Sequence, residues 1–228
     1  MSATKQQAQT FDMVRRLKVA DYLTLSNALC GVMAIFASMQ QRVVLAYLLV
    51  FLGYEFDRFD GMVARMRNEC SELGKELDSF SDLVSFCVAP AVTLYCMGFD
   101  SLLDQAVLAL YVLCGLARLA RFNVAAQSVP RDEHGKPLYH EGLATPYAGL
   151  LLMTASAVAC WSERAEDILS GTLVFAGEWY EFHGILAIVV TMSIMMASKR
   201  LHIYFDGGYS IPAATALVLA GCWFAPRL

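Results

Sequence analysis

The chain has 228 residues, of which 57% are hydrophobic and 17% are charged, and its net charge is −4 at pH 7. A soluble domain is typically about half apolar and about a quarter charged. The apolar residues fall in blocks of about 15 to 22 between short polar stretches, which predicts transmembrane helices in a single domain. The sequence contains no basic run or aromatic-rich basic face, so we expect no nucleic acid partner.

The first 21 residues are polar and of mixed charge, and they lack the apolar core of a secretory signal. They predict a cytoplasmic segment that is either an amphipathic helix on the membrane surface or a disordered tail. Residues 22–228 predict a single transmembrane catalytic domain with about seven spans, within a range of six to eight. The spans are predicted at residues 22–39, 43–62, 77–97, 103–122, 143–161, 182–198 and 211–225.

Lysine and arginine residues are distributed unevenly between the two sides of these predicted spans. With a cytoplasmic N-terminus, fourteen of the 17 basic residues lie at cytoplasmic ends and three lie on the far side. Because cytoplasmic loops of membrane proteins are enriched in Lys and Arg, this bias predicts a cytoplasmic N-terminus. An acidic connection, residues 163–181, is then expected outside the cytoplasm.

Four aspartates lie on two predicted helices that meet at a polar linker, residues 66–73. Asp57 and Asp60 are three residues apart, and Asp78 and Asp82 are four apart, so each pair shares one helix face at the cytoplasmic edge. Carboxylates gathered beside hydrocarbon require compensation, because an unpaired buried charge is strongly unfavourable. Oxygen ligands favour Mg²⁺ or Mn²⁺, and four carboxylates suit two ions that clamp phosphoryl oxygens. The alternative is that the four are helix-end charges, solvated or paired with nearby arginines.

Small residues share the faces that carry the aspartates. Gly61 and Ala64 follow Asp60, and Gly74 lies one turn before Asp78. Small side chains allow a ligand or a neighbouring backbone to approach closely. Arg65, one turn beyond Gly61, is placed to meet a phosphate group.

This stretch resembles the signature DxxDGxxAR…GxxxDxxxD of the CDP-alcohol phosphotransferases, and every signature position is filled. The matching residues are Asp57, Asp60, Gly61, Ala64, Arg65, Gly74, Asp78 and Asp82. The resemblance implies an all-α membrane protein with a six-helix core, a cytoplasmic cavity for the cytidine nucleotide, and a homodimer.

The same resemblance implies roles for the signature residues. Asp57, Asp60 and Asp78 would bind metal, and Asp82 would either join them or accept the proton of the attacking hydroxyl, which makes Asp78 and Asp82 the candidate catalytic residues. The residues expected to line the CDP-lipid site are Gly61, Ala64 and Gly74, with Arg65 near phosphate.

Further stretches resemble membrane-embedded phosphatidylserine synthases, over roughly residues 20 to 150. They are DYLTLSN from Asp21, DSFSDLVSFCVAPA from Asp78, RLARFNV from Arg118 and GLATP from Gly142, with Cys87 where Gly is usual and Ala144 where Pro is usual. This resemblance implies transfer of the phosphatidyl group of CDP-diacylglycerol to L-serine, with CMP as the second product.

Several polar residues outside the signature are candidates for substrate contacts. Arg118 and Arg121 are three residues apart at a cytoplasmic helix end, and with Asn123 they could hold a phosphate or the carboxylate of the acceptor. The alternative is that the arginines are anchors that extend toward lipid headgroups. Thr24 and Asn27, in the first span, either contact the nucleotide or bond a neighbouring helix.

Three alternatives to serine transfer remain open from the sequence. The acceptor could be glycerol-3-phosphate or an inositol phosphate, which would require a larger basic pocket. The lipid could be an archaeal ether lipid. A cation transporter would also place acids in the membrane, but here all four aspartates lie at one edge rather than across the bilayer. We expect an integral, multi-pass membrane protein whose active site faces the cytoplasm; in a prokaryote, its membrane would be the inner (cell) membrane.

Overall fold

Six helices make up most of the chain that the structure describes. The computed structural model describes residues 17–125, 140–161, 173–174, 182–183, 186–198 and 202–203. The helices are α1 (Val19–Met39), α2 (Val43–Met66), α3 (Glu72–Cys96), α4 (Leu102–Ala125), α5 (Thr145–Trp161) and α6 (Leu186–Ala197). Two-residue strands pair antiparallel, β1 (His140–Glu141) with β4 (His202–Ile203) and β2 (Leu173–Val174) with β3 (Phe182–His183).

Helices α1 and α2 form a hairpin that packs through small side chains. Ala34 and Ala46 are completely buried, and Ala37 is 4% exposed. Small residues allow two helix backbones to approach closely. The two helices also approach closely at Gly53, where a Cβ atom would lie 2.8 Å from Asn27 Oδ1. A larger residue at position 53 would therefore separate the helix that carries Thr24 from the helix that carries the first two aspartates.

Helix α3 begins at a cap and changes its hydrogen-bond pattern in the middle. Ser71 is the N-cap, and its hydroxyl accepts a hydrogen bond from Gly74 N at 3.0 Å. Residues Leu83–Val88, directly after Asp82, form a π-helical segment. Pro90 has no backbone N–H, so it cannot donate a hydrogen bond to Phe86 O, four residues earlier. Phe86 O instead accepts a hydrogen bond from Tyr111 Oη on α4 at 2.9 Å. α4 therefore supports α3 just beyond its second aspartate.

Three of the described helices, α1, α3 and α4, are long and apolar enough to cross a membrane. Helix α2 is also long, at 24 residues, but its C-terminal half carries Glu55, Asp57, Arg58 and Asp60. Helix α2 is therefore partly apolar and partly charged, whereas charged residues are rare in a helix that faces lipid along its whole length. The described part of α5 and α6 is apolar and shorter.

The helices correspond to the first six predicted spans. Helices α2 and α3 extend further toward each other than predicted, so the polar linker shortens to residues 67–71. The predicted span at residues 211–225 and residues 1–16 of the predicted N-terminal segment lie outside the described residues. The number of spans and the orientation of the N-terminus remain predictions.

Candidate active site

Three of the four predicted aspartates converge between α2 and α3. Asp57, Asp60 and Asp78 each offer one carboxylate oxygen, and these oxygens lie within 4.8 Å of one another. Two oxygens that bind one hard cation at about 2.0–2.6 Å are separated by no more than about 5 Å, so this spacing suits a shared ion. The all-oxygen ligand set also matches Mg²⁺ or Mn²⁺ better than zinc.

Asp82 lies one helical turn further along α3 and is 7% exposed. It falls outside the group of three oxygens but interacts directly with Asp57. Its Oδ1 atom has no hydrogen-bond partner among the residues that the structure describes. A buried carboxylate oxygen normally has a partner, so this atom indicates a cation or a donor that belongs to the loaded site. The four carboxylates therefore fit the divalent cation that the sequence predicts.

Two arginines near the cluster form ion pairs with glutamates. Arg58 pairs with Glu55 at 2.9 Å, and Arg67 pairs with Glu69 at 3.0 Å. The guanidinium group of Arg65 lies beside Gly61, where a Cβ atom would be 3.4 Å from its Nη1. Among the described residues, these ion pairs of Arg58 and Arg67 involve glutamates, which favours a metal site over helix-end charges paired with arginines.

An open cavity of about 480 Å³ adjoins the aspartate cluster at the same helix ends. Its size is in the range of small-molecule and cofactor sites, about 300–1,000 Å³. The lining includes Thr24, Gly61, Ala64 and Gly74, all of which the sequence assigned to the CDP-lipid site. The full lining is Ala20, Asp21, Thr24, Asp60, Gly61, Ala64, Glu69, Cys70, Ser71, Glu72, Gly74, Lys75 and Asp78.

Helix α1 contacts both halves of the signature. Thr24 donates a hydrogen bond to Asp60 on α2. On the other side, a Cβ atom on Gly74 would lie 2.7 Å from Asp21 Oδ1, so a larger residue there would displace the Asp21 carboxylate. Asp21 also accepts a hydrogen bond from Lys18 N at 2.8 Å, which fixes the start of α1. The cavity is therefore lined by signature aspartates and, on another side, by residues of α1.

Asn27 is not part of the cavity lining. Its side chain is completely buried next to Gly53, and its amide atoms have no partner within the described chain. Its backbone oxygen accepts a hydrogen bond from Ser85 Oγ at 2.9 Å. Asn27 thus lies at the junction of α1, α2 and the π-helical segment, one turn deeper than Thr24.

The predicted acceptor residues on α4 separate into two groups. Arg118 is 7% exposed and lies within electrostatic reach of Asp82. Arg121 instead donates to the C-terminal end of α6, with Nη1 2.8 Å from Ala197 O and Nη2 3.1 Å from Met196 O. Asn123 donates to α3, with Nδ2 2.9 Å from Ser79 Oγ. Of the three residues, the structure brings only Arg118 to the aspartate cluster.

Sequence reasoning assigned no role to several residues that line the cavity. Asp21 lies three residues before Thr24, and Lys75 directly follows Gly74 of the signature. Lys75 also lies three residues before Asp78, and residues three or four apart share a helix face, so both spacings would have placed these side chains near the site. Glu69 was not predictable in this way, because it enters the lining through the turn after α2.

Comparisons with known proteins show the family of this chain. A sequence model of the CDP-alcohol phosphatidyltransferase family matches residues 17–193. A CDP-diacylglycerol–serine O-phosphatidyltransferase of Saccharomyces cerevisiae is 39% identical over 201 residues, which cover 85% of this chain and 72% of the yeast protein. A protein of the same name from Bacillus subtilis is 36% identical over 136 residues, or 59% of this chain and 72% of its own length. An archaetidylserine synthase of Methanothermobacter thermautotrophicus is 40% identical over 111 residues, which cover 47% and 48% of the two chains.

Proposed function

This chain belongs to the CDP-alcohol phosphatidyltransferase family, and we propose that it transfers the phosphatidyl group of CDP-diacylglycerol to L-serine, giving phosphatidylserine and CMP. Family membership, together with the three apolar helices, confirms the predicted all-α membrane fold class. The observation that carries the proposal is the convergence of Asp57, Asp60 and Asp78 beside a cavity large enough for a nucleotide. The names of the yeast and Bacillus relatives support serine as the acceptor.

The aspartate cluster would hold the metal of this reaction. Members of the family generally depend on divalent metal ions, and we expect Mg²⁺ or Mn²⁺, with about two ions per site. When bound, these ions neutralise the charge that develops on the phosphoryl oxygens. Asp57, Asp60 and Asp78 would bind them, and Asp60 is held for this purpose by Thr24.

Asp82 is the best candidate for the base that activates the acceptor. Its buried Oδ1 has no partner in the described part of the chain, and it lies one turn from Asp78. Asp82 accepts the proton of the serine hydroxyl as the bond from that oxygen to phosphorus forms. The bond between phosphorus and the CMP oxygen breaks at the same centre, and CMP leaves with the electron pair.

The arrangement of arginines favours a carboxylate acceptor over one with a second phosphate. Arg118 lies near Asp82, whereas Arg121 is engaged by two carbonyl oxygens of α6. A single buried guanidinium group matches one carboxylate in a bidentate manner. Glycerol-3-phosphate or an inositol phosphate would require further basic groups at the same place.

The location of the site follows from the chemistry of its substrates. We expect a multi-pass protein with the cavity at the cytoplasmic face, because serine and CMP are soluble in water whereas the acyl chains stay in the bilayer. The resemblance of the signature supports a homodimer. The positions of the aspartates at one end of α2 and α3 favour an enzyme over a cation transporter, whose acids would extend across the membrane.

The test of the proposed function is CMP release by the purified protein in detergent with Mg²⁺ or Mn²⁺. L-serine, glycerol-3-phosphate and inositol phosphate are compared as acceptors, and CDP-diacylglycerol is compared with its archaeal ether-lipid counterpart. We expect cation-dependent release that requires L-serine and the diacyl substrate. Release that requires a phosphorylated acceptor, or none with any acceptor, would contradict the proposal.

A further inference from the structure

The segment from Gly142 to Pro146 is locked against the C-terminal end of α6. Gly142 has φ +77°, and a Cβ atom there would lie 2.8 Å from Met196 O, so glycine is required at this position. The next residue, Leu143, donates its N–H to Met195 O at 3.1 Å. The chain then enters α5 at Thr145. The position of the Thr145 side chain is therefore set by two backbone contacts directly before it.

The hydroxyl group of Thr145 is hydrogen-bonded to one nitrogen of the Arg118 guanidinium group. Thr145 is completely buried, and its hydroxyl oxygen accepts a hydrogen bond from Arg118 Nη1 at 3.0 Å. On its other side, Arg118 lies over the ring of Phe122, with 5.8 Å between the guanidinium carbon and the ring centroid. The guanidinium plane is thus fixed by a hydroxyl group and an aromatic ring rather than by a carboxylate.

Arg118 and Asp82 are both buried, and each has one polar side-chain atom that lacks a hydrogen-bond partner in the described part of the chain. Arg118 Nε and Asp82 Oδ1 have no hydrogen-bond partner among the described residues, and the two side chains are within electrostatic reach of each other. Buried polar atoms are normally paired, so two such atoms on adjacent, oppositely charged groups point to a polar ligand between them. The base proposed for the serine hydroxyl is one of the two groups.

We propose that Thr145 is a positioning residue that sets the acceptor specificity by orienting Arg118 toward the carboxylate of the amino acid. The inference rests on the proposed function, since it assumes that serine is the acceptor. The Thr145 hydroxyl holds Nη1, and among the described residues Arg118 forms no ion pair with Asp82. Arg118 therefore stays available to the substrate, and Asp82 stays available to accept the proton.

The inference is tested with Thr145→Val, which keeps the shape of the side chain and removes its hydroxyl, and with Thr145→Ser, which keeps the hydroxyl. Thr154→Val is the matched control, because Thr154 is also buried on α5 but, within the described part of the chain, donates only to Leu150 O of its own helix. Initial rates of CMP release are measured against L-serine and, separately, against CDP-diacylglycerol.

We expect Thr145→Val to raise the KM for L-serine about tenfold to a hundredfold, the range that follows from losing a hydrogen bond to a charged group. The KM for CDP-diacylglycerol should change by less than about twofold, because the inference assigns Arg118 to the acceptor and not to the lipid. Thr145→Ser and Thr154→Val should behave like the wild type. A KM for serine that is unchanged in Thr145→Val, or raised equally in Thr154→Val, would overturn the inference.

A double-substitution cycle separates positioning from a general loss of stability. If Thr145 acts through Arg118, then Arg118→Lys combined with Thr145→Val should raise the KM for serine no more than Arg118→Lys alone. Additive effects would overturn the inference, and if Thr145→Val does not fold, Thr145→Ala is used in the same cycle. Failure of the proposed function is distinguishable, because the wild type itself would then show no CMP release that depends on serine.

Discussion

Thr24 on α1 donates a hydrogen bond to Asp60 on α2, with 2.5 Å between Thr24 Oγ1 and Asp60 Oδ2. This bond joins a helix outside the signature to the first pair of signature aspartates. Asp60 is 4% exposed, so few alternative donors can reach it. The hydroxyl therefore fixes one oxygen of Asp60 and orients the carboxylate for the cluster with Asp57 and Asp78.

Replacing Thr24 by valine should weaken metal activation without abolishing the fold. A hydrogen bond to a charged group contributes about 1.5–3 kcal/mol, so we expect the Mg²⁺ concentration for half-maximal CMP release to rise about tenfold. The control is Ser26→Ala on the same helix, since Ser26 bonds only to Tyr22 O among its described contacts. An unchanged cation requirement in Thr24→Val would show that Thr24 does not orient Asp60.

Gly61 offers a test that separates ligand binding from packing. A Cβ atom on Gly61 would meet only the flexible end of Arg65, at 3.4 Å, so Gly61→Ala fits the folded protein. Alanine in place of a helical glycine should raise the free energy of unfolding by about 0.5–1 kcal/mol. Because position 61 lines the cavity, CMP release should nevertheless fall and the KM for CDP-diacylglycerol should rise.

Gly74→Ala is the comparison for that experiment. Its Cβ atom would lie 2.7 Å from Asp21 Oδ1, so this substitution should lower both stability and activity. Thermal unfolding in detergent, measured beside CMP release, gives both quantities. Full activity in Gly61→Ala would mean that the substrate does not approach that face of α2.

Cys87 on α3 fills the space in front of Gly115 on α4. A Cβ atom on Gly115 would overlap with Cys87 Sγ. We expect Gly115→Ala to destabilise the protein by about 1–3 kcal/mol, because overpacking forces side chains or backbones apart. Adding Cys87→Ala should recover most of that loss. Unfolding of the two single variants and the double variant checks the prediction, and additive losses would contradict the packing assignment.

Arg121 should contribute to stability rather than to acceptor binding. Arg121→Gln removes a charged donor from Ala197 O and Met196 O at the end of α6, and we expect a loss of about 1–3 kcal/mol. The KM for serine should stay within about twofold of the wild type. Arg42→Gln, at an exposed position before α2, is the control. A raised KM for serine with unchanged stability would restore the acceptor role that the sequence suggested.

The aspartate cluster was predictable because helix periodicity alone brings its members to one face of each helix. Asp57 and Asp60 share a face of α2, Asp78 and Asp82 share a face of α3, and the short turn between the helices makes them neighbours. The glycines were predictable for a similar reason, since close approach requires a small residue. The convergence of these groups beside a cavity therefore follows from spacing that is visible in the sequence.

Other parts of the site depend on contacts between distant segments. The role of Arg121 depends on its contact with Met196 near the end of α6, 75 residues further along the chain, and no local pattern encodes that contact. The same holds for the bond between Arg118 and Thr145, which joins two stretches that the sequence singled out separately. The π-helical segment Leu83–Val88 has no distinct periodicity signal, because its apolar residues fit an ordinary buried helix equally well.

The most direct test of the central claim is a titration with Mn²⁺ followed by electron paramagnetic resonance on the wild type, Asp78→Asn and the exposed control Asp100→Asn. We expect the wild type and Asp100→Asn to bind about two Mn²⁺ ions per chain. Asp78→Asn should bind them at least about tenfold more weakly and lose CMP release that depends on serine, because one charged oxygen ligand is removed. Equal Mn²⁺ binding by Asp78→Asn and the wild type would contradict the assignment of the aspartate cluster as the metal site.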